Sequence, residues 1–266
     1  MSDTVDLVGR DSRARGHDGW VRAWPLNKPA LAQLGIGAVL LFALTTGVGL
    51  IFMWFLDDGP VGDADRSWAR WLEDRRTPTL NRLTANGEAI SDTFVKVGLV
   101  ALAIVVTIAI WRRWHDAVFL ATAVIVEASI FVTSSFIVGR DRPPVEHLDP
   151  PAPSGSFPSG HTAASVAFYV GVYMIVRWHT RNRAVRGLFL AIAIAAPIIV
   201  GFSRAFRGMH HPIDVLAGLL LGIASLYIVH RAVARGVEEI DRTSDDSVPE
   251  RLRHLDMTAI DEGARS

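Results

Sequence analysis

Six polar side chains crowd the twelve residues from Ser203 to Asp214: Ser203, Arg204, Arg207, His210, His211 and Asp214. A guanidinium presents a planar fork of donors that matches phosphate oxygens. His210 and Asp214 are four residues apart, so a helix beginning near Pro212 would bring them face to face. In that pairing the carboxylate takes one ring N–H and leaves the other nitrogen free to attack phosphorus. Two further stretches carry matching chemistry. GRDRPP, Gly139 to Pro144, holds Arg140 and Arg142, and SFPSGHTAA, Ser156 to Ala164, holds Ser159, Gly160 and His161. Backbone N–H groups after Pro158 would open a helix N-terminus, which favours an anion, and Gly160 lets the anion approach the backbone. His161 comes from a separate segment and can stand across the phosphate as general acid. Together these are the parts of a phosphoryl-transfer site.

Each stretch borders an apolar run. The runs cover Leu31–Leu56, Val95–Ile110, Ala117–Gly139, Pro158–Val176, Gly187–Ser203 and Pro212–Val229. The first is 26 residues without a charge, long enough to cross a bilayer. The expected fold is therefore all-α: a polytopic membrane protein with a six-transmembrane helix bundle and an extracytoplasmic site. Residues 1–30 read as a polar cytoplasmic N-terminus, 31–233 as the six-span domain, and 234–266 as a disordered cytoplasmic tail. Arginine clusters at the N-terminus, at Arg112–Arg113, at Arg177, Arg181, Arg183 and Arg186, and in the tail. Positive residues favour the cytoplasmic side, so both termini are expected there, in the cell membrane, and the three polar stretches outside. Acidic residues nearly balance the arginines of the 57–94 connection.

Within that connection Trp68, Trp71, Leu72 and Arg75 repeat at helical spacing, as either an interfacial helix or a solvated one would. Glu127 lies mid-span, where a carboxylate serves function or takes a hydrogen bond from a hydroxyl such as Ser129. Pro197 is expected to kink the fifth span. Net charge is zero, which gives no basic field for nucleic acid. The chain has no cysteine, so thiol chemistry and thiolate metal sites are excluded.

These residues resemble the type 2 phosphatidic acid phosphatase superfamily, whose signature is Lys-x6-Arg-Pro, Pro-Ser-Gly-His and Ser-Arg-x5-His-x3-Asp. The second part is complete in Pro158, Ser159, Gly160 and His161, the third in Ser203, Arg204, His210 and Asp214. The first keeps Arg142 and Pro143 but has Ser135 at the lysine position. The resemblance covers about residues 95–230. It implies that His210 rather than His211 is the nucleophile, that Asp214 orients it, and that His161 protonates the leaving group and later activates water. It also implies that Arg142, Arg204, Ser159 and the Gly160 amide hold the phosphate oxygens, with no metal or other cofactor. Glu146, His147 and Asp149 then read as ordinary loop polarity.

Arg207 is three residues after Arg204 and is expected to supply the cation missing at Ser135. The activity expected is hydrolysis of a lipid phosphate or diphosphate in the membrane, with polyprenyl diphosphate, phosphatidylglycerol phosphate and phosphatidic acid as candidate classes. A phosphotransferase of the same fold, or a lipid-binding or transport protein with impaired chemistry, is the alternative.

Overall fold

A computed structural model describes residues 24–89 and 93–246. Most of the expected N-terminal segment and the last twenty residues of the expected tail lie outside them. The described chain is all-helical: α1 (Lys28–Phe55), α2 (Pro60–Glu73), α3 (Pro78–Ala89), α4 (Thr93–Trp111), α5 (Trp114–Val138), α6 (Gly160–Ser165), α7 (Gly171–His179), α8 (Arg183–Phe206) and α9 (Pro212–Asp246). A π-helical turn, Val166–Val170, joins α6 to α7, so the fourth apolar run is one composite helix. Among the described residues, four helices are long and apolar enough to cross a membrane: α1, α5, α8 and α9 as far as Ile240. The apolar part of α4, Val95–Trp111, is shorter.

Local sequence sets the helix ends. Asn27 caps α1 by accepting from the Ala30 N–H, and Asn182 caps α8 by accepting from Ala184 and Val185. Gly139 ends α5 in the left-handed region (φ 61°), where only a residue lacking Cβ sits without strain. The composite helix is sandwiched between α5 and α9. There Phe119, Leu120, Val166, Phe168, Leu226 and Val229 form the main core. A Thr46–Ser134 hydroxyl pair, 2.9 Å apart, ties α1 to α5 inside the bundle. Outward-facing Ile36, Leu40, Leu44, Val105, Leu188 and Leu220 are exposed, as lipid-facing positions require.

Two local expectations change. α9 stays helical to Asp246, so the tail does not begin as disordered chain at 234. Its extension has tertiary support, because Ala234 and Val237 pack under Trp178 and Asn27 donates to the Gly236 carbonyl. The Trp segment is helical, but Leu72 faces inward against Phe206 while Trp68 and Trp71 face out. Arg75 lies just past α2, with its guanidinium over the Trp71 ring. Pro197 sits inside a continuous α8.

α9 approaches the composite helix through Gly218 and Gly222. A Cβ at Gly222 would lie 2.5 Å from the Ala163 carbonyl oxygen, and one at Gly218 2.4 Å from that of Ser159. Gly222→Ala should therefore lower the melting temperature in detergent. Gly35→Ala, with nothing within 4 Å, should not. Equal melting temperatures for the two variants would show that the close approach carries no packing energy.

Candidate active site

The ends of α1, α5, α8 and the starts of α6 and α9 meet at one end of the bundle. After Gly139 the chain turns and sends its two arginines in different directions. Arg142 donates to the Met209 carbonyl at 2.6 Å and to that of Ser154 at 3.3 Å, and it lines a cavity of about 580 Å3. Arg140 turns away from that cavity. It is almost fully buried and bonds three carboxylates, Asp57 at 2.9 Å, Asp65 at 2.8 Å and Asp214 at 2.6 Å.

Gly208 (φ 76°) makes the turn after α8 and delivers His210 to the cavity. His210 Nδ1 lies 2.7 Å from the Ser156 carbonyl oxygen. A carbonyl only accepts, so Nδ1 carries the ring proton and Nε2 keeps its lone pair. Burial, then the charge of Arg204, pushes the imidazole down to about 3. His210 is therefore neutral at ordinary pH. His161, Arg204 and Gly160 line the same cavity. Burial and the neighbouring Arg204 charge lower Arg142 as well, so the two guanidiniums repel across the cavity.

The expected contact between Asp214 and His210 is replaced by another arrangement. His210 precedes α9 and sits in a turn, so the four-residue spacing does not bring it onto a helix face with Asp214. Asp214 instead reaches back to the His211 N–H at 2.8 Å and to the His211 ring at 3.3 Å. It thus acts as the third-residue partner in a helix cap. Asp214 keeps a link to the loop bearing His210 through that cap, and the Ser156 carbonyl orients the His210 ring.

Two other expected ligands are turned elsewhere. Arg207 is held by both oxygens of Asp149 and donates to the carbonyls of Leu148 and Asn81 at 3.1 Å. It braces the 143–155 loop and is not among the cavity-lining residues. Ser159 is the N-cap of α6, and its buried hydroxyl pairs with Thr162 at 2.9 Å. Gly160 is needed for packing: a Cβ there would come within 2.5 Å of the Phe131 ring. Ser135 gives its hydroxyl to the Val132 carbonyl. Glu146 accepts no shared partner with its loop neighbours, since it faces Arg76, His147 meets the Pro143 carbonyl, and Asp149 serves Arg204 and Arg207.

Lys96 and Glu127 also line the cavity. Glu127 is buried, and neither carboxyl oxygen has a hydrogen-bond partner among the described residues; Ser129 donates to Ile125 instead. The sequence signal for Lys96 is its rarity, as one of two lysines, set in an apolar run. Val97 and Val132 line the cavity and are exposed outward, so it opens sideways between α4 and α5.

Residues 116–237 match the family model described as the PAP2 superfamily. The bacitracin transport permease protein BcrC of Bacillus licheniformis is 39% identical over 74 residues, 28% of this chain and 32% of that protein. The undecaprenyl-diphosphatase BcrC of Bacillus subtilis (strain 168) is 32% identical over 94 residues, 34% of this chain and 44% of that protein. The chain thus spans less than half the length of these curated relatives. The crystal structure of the first transmembrane PAP2 type phosphatidylglycerolphosphate phosphatase from Bacillus subtilis superposes with a TM-score of 0.60. It covers 84% of this chain and 99% of that one at 19% identity, a likeness of fold.

Two outcomes follow from the geometry. Arg207→Ala and Asp149→Asn should lower activity alike, and the double variant should cost little more than either. Additive losses would instead place Arg207 on the substrate. Because His210 is pushed down to about 3, protonation of this group should silence turnover only as pH falls toward that value. An acidic limb in kcat/KM near pH 6.5 that His161→Asn leaves in place would contradict this environment.

Proposed function

We propose, from the match of residues 116–237 to the PAP2 superfamily model, that the chain is an integral membrane phosphatase of that superfamily acting on a lipid phosphate or diphosphate. The observation that carries the reading is the His210 ring. Its Nδ1 proton is committed to the Ser156 carbonyl, and the ring lines a cavity shared with Arg142, Arg204 and His161. A pure binding site needs the arginines and has no use for an unprotonated imidazole beside a second histidine.

In the proposed reaction, Arg142 and Arg204 take the non-bridging phosphate oxygens, and the anion relieves the repulsion between them. His210 Nε2 attacks phosphorus and forms an N–P bond as the bond to the leaving oxygen breaks. His161, charged once the anion is bound, gives its proton to that oxygen. The neutral His161 then takes a proton from water, whose oxygen attacks the phosphohistidine and releases phosphate, returning His210 with its lone pair. Asp214 acts by holding the loop start at His211. We further propose that α4 and the composite Gly160–His179 helix complete six crossings. The arginine-rich ends and both termini then face the cytoplasm and the site faces outward.

The test is phosphate release by the detergent-purified protein in excess EDTA, from polyprenyl, glycerophosphate and diacyl substrates, beside His210→Ala. Release that survives the chelator and vanishes in the variant supports a metal-independent histidine phosphatase. Release that needs added metal overturns the mechanism. Absence of release from every substrate favours a binding protein or a phosphotransferase.

A further inference from the structure

The cavity holds a cation that the phosphatase signature does not place. Lys96, Val100 and Ile104 are spaced by four on α4 and all line the cavity, so they form one stripe down its wall. Across from them α5 contributes Phe131, Ala128, Glu127 and Val124. Lys96 is at the end of the stripe nearest the start of α4, where the polar end of the cavity passes into its apolar groove. Lys96 shares this cavity with His161 and His210 and adds a third cation to Arg142 and Arg204. An ammonium within an apolar wall is costly unless it meets polar partners, and Glu127 lines the same cavity.

We propose that Lys96 binds the leaving phosphate of a lipid diphosphate and so sets a preference for diphosphates over monophosphates. The inference rests on the phosphatase reading above. In an in-line displacement the leaving oxygen lies opposite His210 Nε2, beside His161. When the terminal phosphorus of a diphosphate is attacked, the bond to the bridging oxygen breaks and its electron pair goes to a lipid monophosphate. The His161 proton and the Lys96 ammonium meet that charge, and the chain lies along Val100 and Ile104. A monophosphate ester leaves as an alcohol, with no second phosphate for Lys96 to hold. Arg140, bonded to three carboxylates, and Arg207, bonded to Asp149, do not line this cavity.

The experiment compares farnesyl diphosphate with farnesyl monophosphate, which share one chain, in the wild type, Lys96→Met and Lys96→Arg. The ratio of kcat/KM for diphosphate to that for monophosphate should fall about 10²-fold in Lys96→Met, the scale of losing one preorganised donor. Lys96→Arg keeps the charge and should retain most of the ratio. A ratio unchanged in Lys96→Met, whether both activities drop together or neither does, overturns the inference and leaves the phosphatase reading standing. A Lys96→Arg ratio as low as that of Lys96→Met also overturns it. A wild type that turns over neither farnesyl substrate overturns the inference, and the phosphatase reading falls with it only when the glycerophosphate and diacyl substrates are inert as well.

Discussion

The buried guanidinium of Arg140 is the interaction on which the site end of the bundle depends. Its Nη1 meets Asp214, while its Nη2 meets both Asp57 and Asp65. Those partners lie in the α1–α2 connection, in α2 and in the first turn of α9. Burying Arg140, Asp65 and Asp214 as ions, with Asp57 half-buried beside them, costs several kcal/mol per ion before pairing, and the cluster offsets that cost only while every member is present. What it provides is register. Asp65 uses its second oxygen to accept from the Ile213 N–H at 3.2 Å, and Asp214 uses its second oxygen for the His211 N–H. Two orphan donors at the start of α9 are thereby satisfied by carboxylates that Arg140 holds in place, and the turn bearing His210 is fixed with them.

The same cluster divides the charges. From Gly139 the chain gives one arginine to the carboxylates and, two residues later, another to the cavity. Negative charge collects behind the backbone of this turn, and positive charge from Arg142, Arg204 and Lys96 faces the cavity in front. An arrangement with Asp214 turned toward the cavity would set a carboxylate beside the two guanidiniums that the proposed reading assigns to phosphate. Spending Asp214 on Arg140 and the His211 cap keeps that charge out. The Ser156 carbonyl can then orient His210 without adding a negative charge of its own.

The motifs were legible because they are short, local and chemically uncommon: Arg142, His161, Arg204 and His210 do converge on one cavity. The failures share a cause. Spacing says which residues share a helix face, and it says nothing once the chain leaves the helix. Asp214 was read against His210 as though both were helical, while the Gly208 turn takes His210 off that face. Arg207 was read by its distance from Arg204, but a partner in a distant loop, Asp149, decides its direction. Hydropathy found the apolar runs, yet it did not show that the fourth is a composite helix with a π-helical turn. Nor did it show α3, a polar helix whose packing against α8 comes from tertiary contact. α9 outlasts its apolar period for the same reason.

Lys96 illustrates what position in the membrane adds to such a reading. In sequence it weakens an apolar run; in the bundle it lines the same cavity as Arg142, Arg204 and His161. Glu127 lines the same cavity, buried and without a hydrogen-bond partner for either carboxyl oxygen among the described residues. Neither residue would be retained cheaply alone in an apolar wall. The sideways opening at Val97 and Val132 then joins two requirements that a soluble enzyme would meet separately. On the proposed reading, the charged end of a lipid would enter the polar site while its chain stayed in apolar surroundings. Recognition would then be divided: the arginine pair would respond to any phosphate, and discrimination among lipids would fall to what lines the passage beyond it.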